Sequence, residues 1–214
     1  SQDKRYIYDW KKQNWFENHK LEHLAIRNNV GLIDMSSFGK IRVEGIDALS
    51  FCQRMFGNNV DVDIGKIVYT QMLNSNGGIE SDLTVTRLER NCFLLVVPAT
   101  TLVRDLNWLN RHKESFNVVV TDVTSSEAVL VLMGPNSRKL LSEISPNKFD
   151  NNSHSFGLAK EIEIGYGLAR AHRISYVGEL GWELFVSSDQ ACHVFETIQE
   201  AGKKYKLKLC GLHS

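Results

Sequence analysis

Tyr69, Asp82 and Glu183 are the side chains of this sequence whose types and placement could do chemistry. Asp82 interrupts Ile79–Leu88, a run rich in β-branched residues, although Asp is disfavoured inside strands. Tyr69 lies thirteen residues earlier, in the run Ile67–Leu73, with Asn74-Ser75-Asn76-Gly77-Gly78 between the two. Asn and Gly tolerate positive φ, so the pattern predicts a hairpin centred near Asn76. Tyr69 and Asp82 then nearly oppose each other, and a phenol and a carboxylate could face one cavity. The residues leave a second reading open, in which Asp82 is an exposed residue at a strand edge.

Glu183 stands inside the apolar run Trp182–Val186, after the segment Arg173-Ile174-Ser175-Tyr176-Val177-Gly178-Glu179-Leu180-Gly181. Gly178 and Gly181 can supply unusual backbone angles there. A Glu on a strand face is usually solvated; a buried one must be paired or hydrogen-bonded. A planar heterocycle with adjacent N–H donors is one such partner, because a carboxylate accepts two parallel bonds.

Other chemistries find no support. The sequence has no GxGxxG, Walker, HExxH or GxSxG motif. Its 7 histidines are scattered without metal-ligand spacing, so no metal site is expected; His112, His172 and His193 read as surface or core residues. Lys plus Arg and Asp plus Glu each number 25, and a zero net charge argues against non-specific nucleic-acid binding. No apolar run approaches the roughly 18 residues of a membrane span. Four cysteines, at 52, 92, 192 and 210, are too far apart for a disulfide framework. They read as free buried thiols in a reducing compartment, cytoplasmic or, in a eukaryote, the mitochondrial matrix. Ser1–Arg5 carries both charge signs and does not read as a signal peptide. With no initiator Met, the chain is expected to be a processed product or a piece of something longer.

The elements that must position these residues follow from periodicity. Residues 1–18 read as an arm whose Trp10, Trp15 and Phe16 pack onto the body. A helix over 19–29 stops at Gly31. A strand over 40–44, a helix over 46–56, strands over 67–73, 79–88 and 93–97, a helix over 100–112 and a strand over 118–120 follow. The second half has a strand over 128–133, a break at Gly134-Pro135 and a helix opened by Pro135. An exposed loop over 146–155, strands over 160–164, 168–175 and 182–186, and a helix capped by Ser188 complete it. Both halves read β-α-β-β-β-α. The expected fold is α+β: two related subdomains, residues 19–122 and 123–214, on mostly antiparallel sheets.

The sequence resembles the folate-binding aminomethyltransferase family, whose type member is the glycine cleavage T-protein. It looks most like the C-terminal folate domain of dimethylglycine and sarcosine dehydrogenases. The resemblance is carried by Asn14-Trp15-Phe16-Glu17, Val30 through Lys40, Tyr69 through Asn74, Gly77 through Val85, Gly134-Pro135 and Arg173 through Glu183. It implies three subdomains around a folate channel, of which this sequence would hold the first part. An Arg-bearing helix and a β-barrel would lie beyond Ser214, so the fragment alone is expected to be inactive.

The resemblance implies roles residue by residue. Asp82 matches the essential carboxylate near the reacting nitrogens of tetrahydrofolate, and Tyr69 the tyrosine on the facing strand. Val96 falls at a folate-contacting position, Tyr176 lines the pterin pocket, and Glu183 reads the pterin N–H edge. Ser81 and Pro98 depart from the Asp and Asn usual in T-proteins, which favours the dehydrogenase branch. The implied reaction captures a methylene group from a small N-methyl amine or aminomethyl donor as 5,10-methylenetetrahydrofolate. FAD would belong only to an upstream domain. The alternatives are a free-standing T-protein served by a carrier protein, and a non-catalytic regulatory protein of the same fold. Neither nucleic acid nor membrane is an expected partner.

Overall fold

The computed structural model describes Arg5 and residues 10–212; the other arm residues, 1–4 and 6–9, and the final His213 and Ser214 lie outside the described residues. Its first helix, α1, spans Phe16–Asn28. Strands β1 (Gly31–Asp34) and β2 (Gly39–Glu44), helix α2 (Ala48–Met55) and strands β3 (Ile67–Leu73), β4 (Ile79–Glu89) and β5 (Cys92–Val97) follow. Helix α3 (Leu102–His112) and strand β6 (Val119–Asp122) close the first half. The second half runs β7 (Glu127–Met133), α4 (Ser137–Ile144), β8 (Ala159–Ile164), β9 (Gly167–His172), β10 (Gly181–Ser187), α5 (Ala191–Gly202) and β11 (Lys208–Cys210).

Two mixed-composition sheets result, ordered β3-β4-β5-β2-β6 and β11-β1-β7-β10-β9-β8. All neighbours pair antiparallel except β1 and β11. The two orders repeat one topology. Strands β2 to β6 of the first sheet correspond to β7 to β11 of the second, with β1 inserted between β7 and β11.

Strand alternation builds the layers. On β10, Trp182, Leu184 and Val186 enter a core with Leu140 and Leu141 of α4 and Val194 and Ile198 of α5. Phe185 faces the other way, into a core shared with Leu94 of β5 and Val129 and Val131 of β7. On β5, Phe93, Leu95 and Val97 pack with Phe51 of α2 and Leu109 of α3. The sheets therefore meet face to face, and helices cover both outer faces.

The structure corrects several expectations. Trp10 is wholly exposed rather than packed, while Trp15 stacks on His19 of its own helix. Gly31 opens β1 instead of ending α1. A Cβ there would meet Ile26 at 2.5 Å and Cys210 at 3.0 Å, so Gly permits close packing of helix and strand. Because β1 pairs with β7 and β11, residues 31–34 join the sheet of the second half, across the expected boundary at 122/123. Helix α1 goes with them, since Glu22 accepts the Gly211 N–H at 2.8 Å. The 146–155 loop is not all exposed: Phe149 and His154 are buried against Trp182. Pro135 lies in the turn before α4, and Ser188 lies outside α5, whose N-cap position is Gln190. Cys192 is exposed, unlike the buried Cys52 and Cys92. Among the described residues, no helix is long and apolar enough to cross a membrane.

Candidate active site

A cavity of about 320 Å³ opens between the sheets, and Tyr69, Asp82, Val96, Tyr176 and Glu183 all line it. The first sheet supplies Tyr69, Asp82 and Val96 from its inner face. The second supplies Glu183 from β10 and Tyr176 from the loop before it.

The Tyr69 hydroxyl donates to Asp82 Oδ2 at 3.0 Å. The two residues are diagonal neighbours and not directly opposed: Tyr69 pairs with Thr84, and Gln71 with Asp82. A bulge produces this register. Leu73 pairs with Ile79 but Met72 with Ser81, which leaves Glu80 as an extra residue in β4. Were Glu80 paired with Met72 in a continuous ladder, Thr70 would oppose Asp82 and the carboxylate would turn to the opposite face from Tyr69. Asn74 fixes the turn, its Oδ1 accepting the N–H groups of Asn76 at 3.0 Å and Gly78 at 2.9 Å. Asp82 and Tyr69 are exposed toward the open side of the cavity.

Glu183 is half-buried on the inner face of β10, paired in the ladder with Val131 and His172. Its carboxylate has no hydrogen-bond or ion-pair partner among the described residues, and burial pushes its pKa up to about 7. Close approach of β10 to β7 holds it there: a Cβ on Gly181 would meet Met133 Sδ at 2.2 Å. Nearby, the buried Ser175 Oγ, in a cavity-lining residue, is also without a partner among the described residues.

Sequence reasoning missed the apolar wall. Met35 and Phe38 line the cavity from the β1–β2 connection, and Phe38 meets Tyr176 edge-on with ring centres 6.0 Å apart. Lys40, wholly buried on the inner face of β2, shapes this connection. Its Nζ donates to the carbonyls of Ser36 at 2.9 Å and Phe38 at 3.2 Å, and burial holds its pKa below the usual lysine range. The alternation Lys40, Arg42, Glu44 against Ile41 and Val43 could have marked Lys40 as inward-facing, but not as buried. On the other side, Glu179 pairs with Arg27 of α1 and ties down the Tyr176 loop.

A second cleft, of about 580 Å³, lies elsewhere between the sheets and is lined by Arg42, Glu44, Cys92, Lys160 and Arg170 among others. Among the described residues, no group of three or more His, Cys, Asp or Glu side chains could hold a metal ion.

The family described as the GCVT N-terminal domain matches residues 4–214. The chain belongs to that family. This GCVT domain is 41% identical over 209 residues to the 4-methylaminobutanoate oxidase (formaldehyde-forming) of Paenarthrobacter nicotinovorans, covering 98% of the chain and 25% of the relative. It is 33% identical to an aminomethyltransferase of Bacillus velezensis, covering 95% of the chain and 55% of that protein. The solved glycine cleavage system aminomethyltransferase T of Bartonella henselae superposes with a TM-score of 0.78 at 27% identity, over 90% of this chain and 51% of that one. The GCVT domain thus spans a quarter to about half the length of these relatives.

Proposed function

We propose that this GCVT domain binds tetrahydrofolate in the inter-sheet cavity and delivers to it a one-carbon unit from an N-methyl amine. It would be the folate-dependent part of a dimethylglycine- or sarcosine-dehydrogenase-like protein, whose flavin domain generates the donor. The observation that carries the reading is Glu183, an unpartnered carboxylate facing a cavity whose opposite wall presents the Tyr69–Asp82 pair. A half-buried acceptor without a protein donor fits a ligand that brings its own N–H groups.

The residues fit a reduced pterin. Glu183 would accept two parallel N–H bonds from its edge, and Ser175 Oγ offers a further polar contact. Tyr176, Phe38, Met35 and Val96 make a largely apolar slot for a flat ring and exclude water from it. When bound, tetrahydrofolate supplies the nucleophilic nitrogens, so no Ser, Cys or metal nucleophile is required of the chain. Asp82, aimed by the Tyr69 hydroxyl, stabilises positive charge on the donor amine and can hold a proton taken from a folate nitrogen.

The 41% relative supports the dehydrogenase-like branch, since its name describes an oxidase of an N-methyl amine. A free-standing aminomethyltransferase fits the same cavity and differs in the donor. A purely regulatory role is disfavoured by the meeting of Tyr69, Asp82 and Glu183 in one cavity. Anaerobic titration with tetrahydrofolate tests the reading. Glu183→Ala should weaken binding by roughly 1.5–3 kcal/mol, the range of a hydrogen bond to a charged group; unchanged affinity would refute it.

A further inference from the structure

We propose that the first turn of α3 is a clamp that positions Asp82, an inference resting on the folate-transfer reading above. Asp82 sits on a weakly held stretch of β4. The β5 ladder begins only at Thr84, opposite Val96, so residues 79–83 are paired along one edge, with β3. That ladder is itself interrupted at Glu80 by the bulge that turns Asp82 toward the cavity. A strand paired on one side and bulged beside its key residue has little of its own to fix it.

Helix α3 supplies what the ladder lacks. Arg104 donates to the carbonyl of Glu80, the bulged residue itself. The Ser81 hydroxyl donates to Asp105 Oδ2 at 2.8 Å, and the Thr101 hydroxyl donates to the same oxygen at 2.6 Å. Thr101 is anchored in turn to the residue that follows β5, through its N–H on the Pro98 carbonyl at 3.1 Å. Asp105 is wholly buried and Ser81 is 4% exposed. Both hydroxyls reach Oδ2; Oδ1 has no hydrogen-bond partner among the described residues and lies 3.6 Å from Arg104 Nε, so that cation and the helix N-terminus offset the buried charge.

The geometry separates holding from reacting. Ser81 and Asp82 point to opposite faces of the sheet, so the clamp grips the strand from behind while the Asp82 side chain reaches into the cavity. Among the described residues, its only hydrogen bond on that side is from Tyr69. The clamp also suits a hydroxyl at 81: a carboxylate there would meet buried Asp105, and two like charges would repel. Asp105 and Ser81 are positioning residues, acting through Asp82.

A double-mutant cycle between Ser81 and Asp82 tests this. In the full-length protein that carries this domain, the rate of one-carbon capture on tetrahydrofolate is followed with an N-methyl amine as donor, and Tm is measured on each variant. Ser81→Ala should slow capture about tenfold when Asp82 is present, the effect of a small misplacement. It should leave the residual rate unchanged in the Asp82→Ala background, while lowering Tm equally in both. Equal slowing in both backgrounds, or slowing in neither, overturns the clamp as a positioning device. An unchanged rate in Asp82→Ala alone overturns the reading of the site itself, and the clamp with it. If Ser81→Ala does not fold, Thr101→Val removes the second hydroxyl and puts the same question.

Discussion

The two clefts between the sheets draw on corresponding strands of the repeat, yet their charges are satisfied differently. In the larger, of about 580 Å³, Arg42 is paired with Glu44 at 2.8 Å. Arg170 donates to both oxygens of Glu127, at 2.8 and 2.9 Å, and Lys160 donates to the Ser153 carbonyl. Burial pushes the Cys92 thiol up to about 11, which leaves it protonated and a poor nucleophile. In the smaller, of about 320 Å³, Glu183 has no partner among the described residues. Volume would choose the first cleft and unmet hydrogen-bonding capacity the second. A site that must recognise a ligand keeps something unsatisfied, and the fold accepts a local penalty to do so. Buried Asp105 differs from Glu183 in having protein partners: Oδ2 accepts two hydroxyls, Oδ1 lies 3.6 Å from Arg104 Nε, and its task is structural.

The largest test of this contrast is Asp82→Ala. Capture on folate should fall on the order of 100-fold or more, with released formaldehyde replacing the folate product and donor oxidation continuing. Tm should hardly change, because Asp82 is exposed. A formaldehyde assay set against folate-product formation, in wild type and variant, measures the partition. An unchanged partition would make Asp82 a strand residue only.

Glu183→Gln tests the penalty itself. The folded state keeps a proton on Glu183 up to about pH 7, whereas the unfolded chain loses it near 4.5. Stability therefore falls as pH rises across that window, by up to about 3 kcal/mol. Glu183→Gln should remove this loss, making the ligand-free variant more stable than wild type above the window. Denaturant unfolding on both sides of it checks the sign; a variant destabilised to the same degree at every pH would contradict it.

Glu127→Gln should show the opposite pattern. It weakens a half-buried pair with Arg170, so stability should drop by about 1 kcal/mol while folate affinity stays at the wild-type value. Thermal unfolding and the folate titration give both numbers. An affinity loss would show that the larger cleft belongs to the site. The smallest change is expected from Tyr69→Phe, which deletes one exposed hydrogen bond and should slow capture only a few-fold. A loss as large as that of Asp82→Ala would give the phenol a chemical role of its own.

Much of this was legible in the sequence, for local reasons. The β3–β4 hairpin shows itself in Asn74 through Gly78 between β-branched runs, and Glu183 in a simple alternation on β10. The repeat appears as a recurring element order. What was hidden depends on distant partners. β1 has only four residues, and its place is set by β7 and β11, far along the chain. The polar look of 146–155 hides Phe149 and His154, which are buried only because Trp182 lies beneath them. The Glu80 bulge changed the Tyr69–Asp82 register by one residue, a shift that no spacing rule anticipates. Asp105 drew no notice in the sequence because its role depends on Ser81 and Thr101, whose hydroxyls reach it only in the fold.

The central claim is that Glu183 is left unpartnered for the N–H edge of a folate, and its most direct test is tetrahydrofolate affinity as a function of pH. The carboxylate must be ionised to accept two N–H bonds. Wild-type affinity should therefore rise with pH and level off above about 7, the shifted pKa. The affinity of Glu183→Gln should lack that rise, falling below wild type as pH passes about 7 and approaching it at lower pH, where Glu183 is protonated. Binding by Glu183→Gln that is as tight as wild type, with the same pH profile, would contradict the account.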